Sequence, residues 1–348
     1  MISVVAEVIV AIAAGALVSV VWLSVLRTVF TPRRRTTMAA RGTTHVVATV
    51  LLTVARRLPG QARERLLDLC TPAALFVMAV CWLVAAELGF AMLAWAIADV
   101  SWRPDSLADF FLLRSAGTPL AALALLSTGL LLATFTTHLV RVTDAYSRRE
   151  LPVIRLAGEA SRPPDAEAVL AHYLRTGSRD HLDNMFAEWA SWLADIQGTH
   201  VEYPSLTYSR PAGELCWIKA AVIVLDAAAL TQAIAPSWSP PHTRTLIAAG
   251  TRSMQLVAAQ TGVVLHPLPI SLHGREENGF AETIDLAVQA GLPREQDECI
   301  TWATFQDLRI RYAPHAAAVA SRLLYHHDAS ALDGAPPSSE EDSWSATT

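Results

Sequence analysis

Apolar residues run almost unbroken from Ile2 to Phe30, with Glu7 near the start and Arg27 near the end as the only charged residues. A helix needs about 20 such residues to cross the hydrocarbon of a bilayer, so the pattern predicts a span over about 2–30. The positive charges follow this run rather than precede it, which argues for an uncleaved span over a signal peptide. Two further runs predict spans over about 71–97 and 119–140. Pro72 falls in a first helical turn, where its missing N–H costs nothing. Between the first two spans, His45–Val54 is apolar but too short to cross. It is expected to lie along the membrane surface or to pack against the spans.

Beyond residue 150 the pattern changes to helical periodicity with polar faces. Asp165 is expected to cap a helix through Leu174. Leu182, Met185, Phe186, Trp189, Trp192, Leu193 and Ile196 recur at helical spacing over His181–Gln197. Further helices are expected over Leu215–Ala233, Thr243–Val264 and Thr301–Tyr325, with a loop at Gly291–Asp297 and a disordered tail over 329–348. Leu215–Ala233 is apolar enough to suggest a fourth span. Lys219 and Asp226 share one of its faces, however, and both would then lie in lipid, so a buried helix of a soluble domain is expected instead. The fold class is an all-α membrane protein with three transmembrane helices and a re-entrant, pore-loop-like segment. An all-α cytoplasmic domain follows. The domains divide at 1–150, 151–328 and 329–348.

Charge orients this arrangement. Of the arginines, nine lie in Arg27–Arg65, whereas Arg103 and Arg114 alone lie between the second and third spans. Cations collect on the cytoplasmic side of short loops, which puts the N-terminus outside and the C-terminus in the cytoplasm of a multi-pass protein of the cell (inner or plasma) membrane. Residues 1–150 carry a balance of +5 and residues 151–348 one of −10. With no basic face on the soluble half, nucleic acid is excluded as a partner.

Candidate chemistry is sparse. The histidines lack metal-ligand spacing, and there is no phosphate loop or nucleophile elbow, so no enzymatic activity, cofactor or metal site is expected. Cys70, Cys81, Cys216 and Cys299 show no paired spacing and are expected to be buried small hydrophobes. The segment 105–119 is more informative. Asp105 or Ser106 can cap about two helical turns, which Gly117-Thr118-Pro119 would end. This is the layout of a pore loop dipping between two spans; a helix lying flat in the headgroups is the alternative. On the third span Ser127, Thr134 and His138, with Thr137 adjacent, form a polar stripe fit either to line an aqueous path or to pack closely. Glu87 is ionisable inside the second span.

Several stretches carry a resemblance. They are Ser127-Thr128-Gly129-Leu130, His138-Leu139-Val140 and Ala145-Tyr146-Ser147-Arg148-Arg149-Glu150 in the first half. In the second half they are Trp189-Ala190-Ser191-Trp192, Thr199-His200-Val201-Glu202-Tyr203-Pro204, Tyr208-Ser209-Arg210, Trp217-Ile218-Lys219-Ala220 and Leu225-Asp226-Ala227-Ala228-Ala229-Leu230. In order and spacing, over about 70–265, they resemble a family of bacterial potassium-channel-like membrane proteins, of ion-channel or two-pore-domain type. That family joins a one-pore-loop module to a helical cytoplasmic domain. The resemblance implies a homotetramer in the lipid bilayer, monovalent cations as the conducted species, and a structural role for Trp189, His200, Tyr203, Pro204, Trp217 and Asp226.

The filter position departs from the family. Potassium filters use T-x-G-[YF]-G, whose carbonyls replace the ion's hydration shell. Here the equivalent residues are Arg114, Ser115, Ala116, Gly117 and Thr118: one glycine remains and the aromatic is absent. A ring of four Arg114 side chains would oppose cation entry. Two readings stay open: a cation channel with a degenerate or non-selective filter, and a non-conducting membrane-anchored sensor or scaffold whose helical domain binds a partner or ligand.

Overall fold

The computed structural model describes residues 2–29, 38–98, 119–159, 165–263 and 277–325. Among them every regular element is a helix. The chain divides into two compact units. The first comprises Met1–Tyr146 with Val201–Ser209, and the second Ser147–His200 with Arg210–Thr348.

The first unit holds α1 (Ile2–Val29), α2 (Met38–Ala55), α3 (Gly60–Asp68) and α4 (Cys70–Ala98). It also holds most of α5 (Pro119–Glu159), a 41-residue helix that ends in the second unit. Helix α1 packs along α4, and Gly89 lets the two approach closely. A Cβ there would stand 2.6 Å from Val18 Cγ2 and 3.4 Å from the Ala14 carbonyl oxygen. Val21, Val25 and Val29 of α1 then meet Leu75, Met78 and Trp82 of α4 and Leu131, Val142 and Ala145 of α5 in one apolar cluster.

The expected short segment His45–Val54 is part of the 18-residue α2, packed against α4 through buried Thr44, Ala48, Leu52 and Ala55. The helix expected to end near Val140 runs on to Glu159, through Pro152. Arg141 ends the apolar window without ending the helix, because arginine is itself a good helix former.

The second unit is built around α8 (Trp217–Ile234), whose neighbours are α6 (Ala166–Thr176), α9 (His242–Gln260), α11 (Glu298–Arg309) and α12 (Ala313–Arg322). Helices α7 (Arg179–Glu202) and α10 (Glu277–Gln289) complete it. Gly250 of α9 faces Leu225 of α8 with no room for a side chain. The stretch expected as one helix over Thr301–Tyr325 is two, broken at Ile310–Tyr312. Pro314 disfavours helical geometry in the residue before it and cannot donate a backbone hydrogen bond, so it restarts the helix rather than continuing it.

Helix termini show local chemistry at work. The Asp165 carboxylate accepts from the Ala168 N–H at 2.7 Å, the expected cap of α6. Helix α9 follows Pro241, which has no capping side chain. Asp183 of α7 supplies the cap instead, accepting from the His242 N–H at 2.8 Å and meeting its ring Nδ1 at 2.8 Å. Asp183→Ala is therefore expected to lower the stability of the second unit by about 1 kcal/mol, read as a fall in Tm, whereas removing the exposed Glu188 carboxylate leaves it nearly unchanged.

Two cysteine expectations are corrected. Cys70 and Cys216 are buried, but Cys81 and Cys299 are exposed. Cys81 lies on an outward face of α4 and Cys299 in the first turn of α11, positions that no neighbouring element covers among the described residues.

Candidate functional site

Arg114, Ser115, Ala116, Gly117 and Thr118, the filter-equivalent residues, lie outside the described residues, as does the pore-loop-like segment up to Thr118. The polar stripe of α5 is described, and its members have different surroundings. Ser127 is buried and accepts from the Trp22 indole N–H at 3.0 Å, tying α5 to α1. One residue on, the Thr128 hydroxyl donates to the Glu87 carboxylate and so ties α5 to α4. Thr134 and Thr137 donate to the carbonyls of Leu130 and Ala133 on their own helix, and Thr137 is exposed. His138 is buried, with its ring edge-on to Tyr203 at 5.5 Å between centroids.

That Tyr203 contact was not legible in the sequence. Residues 201–209 comprise the last two residues of α7 and the stretch after it, yet they pack within the first unit. Tyr203 and Leu206 join its apolar cluster, and the Ser205 carbonyl accepts from the Thr71 hydroxyl at 2.9 Å. The Tyr203 hydroxyl donates to Glu202 at 2.5 Å. Pro204 begins a 3-10 turn, Pro204–Tyr208, that turns the chain sharply there. Arg141 donates to the Val29 carbonyl at 2.6 Å and satisfies the free end of α1. His138 and Tyr203 are thus neighbours, although 65 positions separate them in sequence.

In the second unit the remaining motif residues form two buried clusters. In the first, His200 donates Nδ1–H to the Ile196 carbonyl at 3.0 Å, a tautomer assigned because a carbonyl can only accept. Its ring lies 5.1 Å from that of Trp217, over which the Arg149 guanidinium sits at 5.6 Å. Arg149 pairs with Glu150 at 2.8 Å, and the Trp192 indole donates to the Arg149 carbonyl at 3.1 Å. Burial, with the Arg149 charge adding to it, pushes the His200 pKa down to about 3 against the smaller pull of its hydrogen bond. Trp189 stacks edge-on to Trp192 at 4.7 Å.

Arg210 extends this cluster, donating to the Leu323 carbonyl at 3.2 Å and lying 4.7 Å above the Tyr325 ring. Burial holds the Tyr325 hydroxyl in its neutral form. Leu324 between them sits at φ 61°, a left-handed conformation that leucine adopts only where its surroundings compel it.

The second cluster is Asp226, Arg309 and Tyr312. Arg309 Nε reaches both Asp226 oxygens at 3.2 Å, and the Tyr312 hydroxyl donates to Oδ1 at 2.6 Å. Sequence reasoning singled out Asp226 but neither partner, which lie 83 and 86 positions away. Among the described residues no three His, Cys, Asp or Glu side chains converge as metal ligands.

Among the described residues four helices, α1, α4, α5 and α8, are long and apolar enough to cross a membrane. In α8, 89% of the apolar window is buried by its own unit, against 17% in α1 and 22% in α5. The chain is therefore an all-helical protein with apolar helices that fit a multi-pass membrane protein. Comparison with family models, curated proteins and solved structures found no match.

Proposed function

We propose that the chain is a potassium-channel-like protein of the cell membrane, crossing it through α1, α4 and α5 with the N-terminus outside and the second unit in the cytoplasm. Four copies close around residues 105–119 as a pore loop, and the departures at Arg114–Thr118 make it a cation channel with a degenerate or non-selective filter. The observation that supports this reading is the frame: α4, about 43 Å long at 1.5 Å per residue, and the Pro119–Tyr146 part of α5, about 42 Å, belong to one unit, and the stretch that links them contains the proposed loop.

A second reading, a membrane-anchored sensor or scaffold, is favoured by the placement of Ser127 and His138. Both are turned into the packing of their own chain rather than left free to line a lumen.

Flux into liposomes separates the two. Purified protein is expected to pass monovalent cations, and fourfold particles are expected in detergent. Absence of potassium, sodium and chloride current under every condition would leave the scaffold reading standing. Arg114→Thr removes four cations from the entry and is expected to raise cation flux about tenfold or more; an unchanged flux sinks the proposed role of Arg114.

A further inference from the structure

Helix α2 is apolar on two opposite faces. Thr44, Ala48, Leu52 and Ala55 are buried on one, the face toward α4. Val46, Val50 and Val54, offset by half a turn, are 61%, 56% and 45% exposed. A helix whose outer face meets water carries polar residues opposite its buried stripe, so the valine row calls for an apolar medium.

The row does not run on as apolar residues. Arg57 falls three positions after Val54, where the same face would next surface, and Arg56 stands beside it; both are exposed. The chain then turns through Pro59 and Gly60, whose φ of +43° suits glycine, into α3. Over Met38–Leu69 five arginines face two acids, a balance of +3. Among the described residues Arg56 and Arg57 form no ion pair, so their charge remains available to an outside anion. An exposed apolar row ending in unpaired cations matches one kind of molecule: an acyl chain that ends in an anionic headgroup.

We infer that this face of α2 and the turn after it form a docking surface for an anionic phospholipid. The Arg56 and Arg57 guanidiniums hold the headgroup phosphate, and the acyl chain lies along Val54, Val50 and Val46. Guanidinium suits this task, because its planar donors meet phosphate oxygens two at a time. The charge complementarity selects lipid over a second copy of the chain, whose own Arg56 and Arg57 would repel these across a twofold contact. The inference rests on the membrane reading of the first unit and is independent of whether the protein conducts.

The test is native mass spectrometry of the full-length protein released from micelles doped equally with phosphatidylglycerol and phosphatidylcholine. Wild type is expected to retain phosphatidylglycerol preferentially. Arg56→Gln with Arg57→Gln is expected to reduce that preference about fivefold for each arginine removed, while Arg244→Gln, on the exposed surface of α9, leaves it unchanged. Val50→Asn is expected to lower retention of both lipids.

An unchanged preference in the double variant overturns the proposal. So does loss of bound lipid on adding inorganic phosphate, which would mark a site for free anions. A change in subunit number with Val50→Asn, at unchanged lipid retention, would assign the face to a second copy. The double variant alters only exposed side chains, and an unchanged Tm confirms that it folds. A protein that binds lipid as expected yet passes no ions would overturn the channel reading and leave this one intact.

Discussion

Asp226→Ala is expected to lower the stability of the second unit by about 3–5 kcal/mol, the largest effect expected of any single substitution in that unit. Asp226 is 6% exposed and its carboxylate pairs with Arg309, itself 5% exposed. Removing it takes the paired carboxylate from a buried guanidinium and an acceptor from the buried Tyr312 hydroxyl. The loss should read as a fall in Tm of the full chain in detergent, with the apolar helices of the first unit still folded by circular dichroism. Replacing both members, Asp226→Leu with Arg309→Met, is expected to recover most of the loss, because a packed apolar pair avoids the desolvation of two charges. If the double variant is as unstable as the single one, the pair carries specific structure beyond charge balance and the desolvation account fails.

Acidification gives the second large effect. His200 has a folded pKa of about 3 against an unfolded value of 6.5, so between those limits the unfolded chain binds the extra proton. Stability from this group is complete above pH 6.5 and is lost as pH falls, by about 1.4 kcal/mol for each pH unit, until the folded pKa is reached. The cause is burial, which denies the imidazolium its water, together with the Arg149 cation nearby. His200→Gln keeps a hydrogen-bond donor toward Ile196 and removes the titration. Its stability between pH 6.5 and 4.5 should therefore fall less steeply than that of wild type by about that amount. Equal slopes in chemical denaturation would mean that His200 has access to solvent or a proton acceptor in the folded state.

Much of the helical inventory could be read along the chain, and the misses have physical reasons. Asp165 capped its helix as its side-chain chemistry predicts, because a cap involves residues only three apart. Helix α10 went unrecognised although Phe280, Thr283, Ile284 and Ala287 are buried at helical spacing; its signal is short and follows a long stretch without pattern. The break at Ile310–Tyr312 could have been read from Pro314. The true length of α5 could not, since the end of an apolar window marks the edge of a lipid-like pattern and not the end of a hydrogen-bond ladder.

Hydropathy, helical period and charge are local sums over neighbouring residues, and they suffice to determine that this chain makes apolar helices long enough for a membrane and a helical second half. They also gave the expectation that Lys219 and Asp226 make α8 a buried helix, and 89% of its apolar window is buried. Only the tertiary structure decided what covers α8, which acid or base each buried charge meets, and that residues 201–209 leave the second unit to pack with Thr71, His138 and the apolar cluster of the first. Those choices join positions tens of residues apart, from 65 for His138 and Tyr203 to 134 for Thr71 and Ser205. No local pattern encodes such pairs, because the free energy that selects them comes from burying many side chains at once rather than from any one stretch of chain.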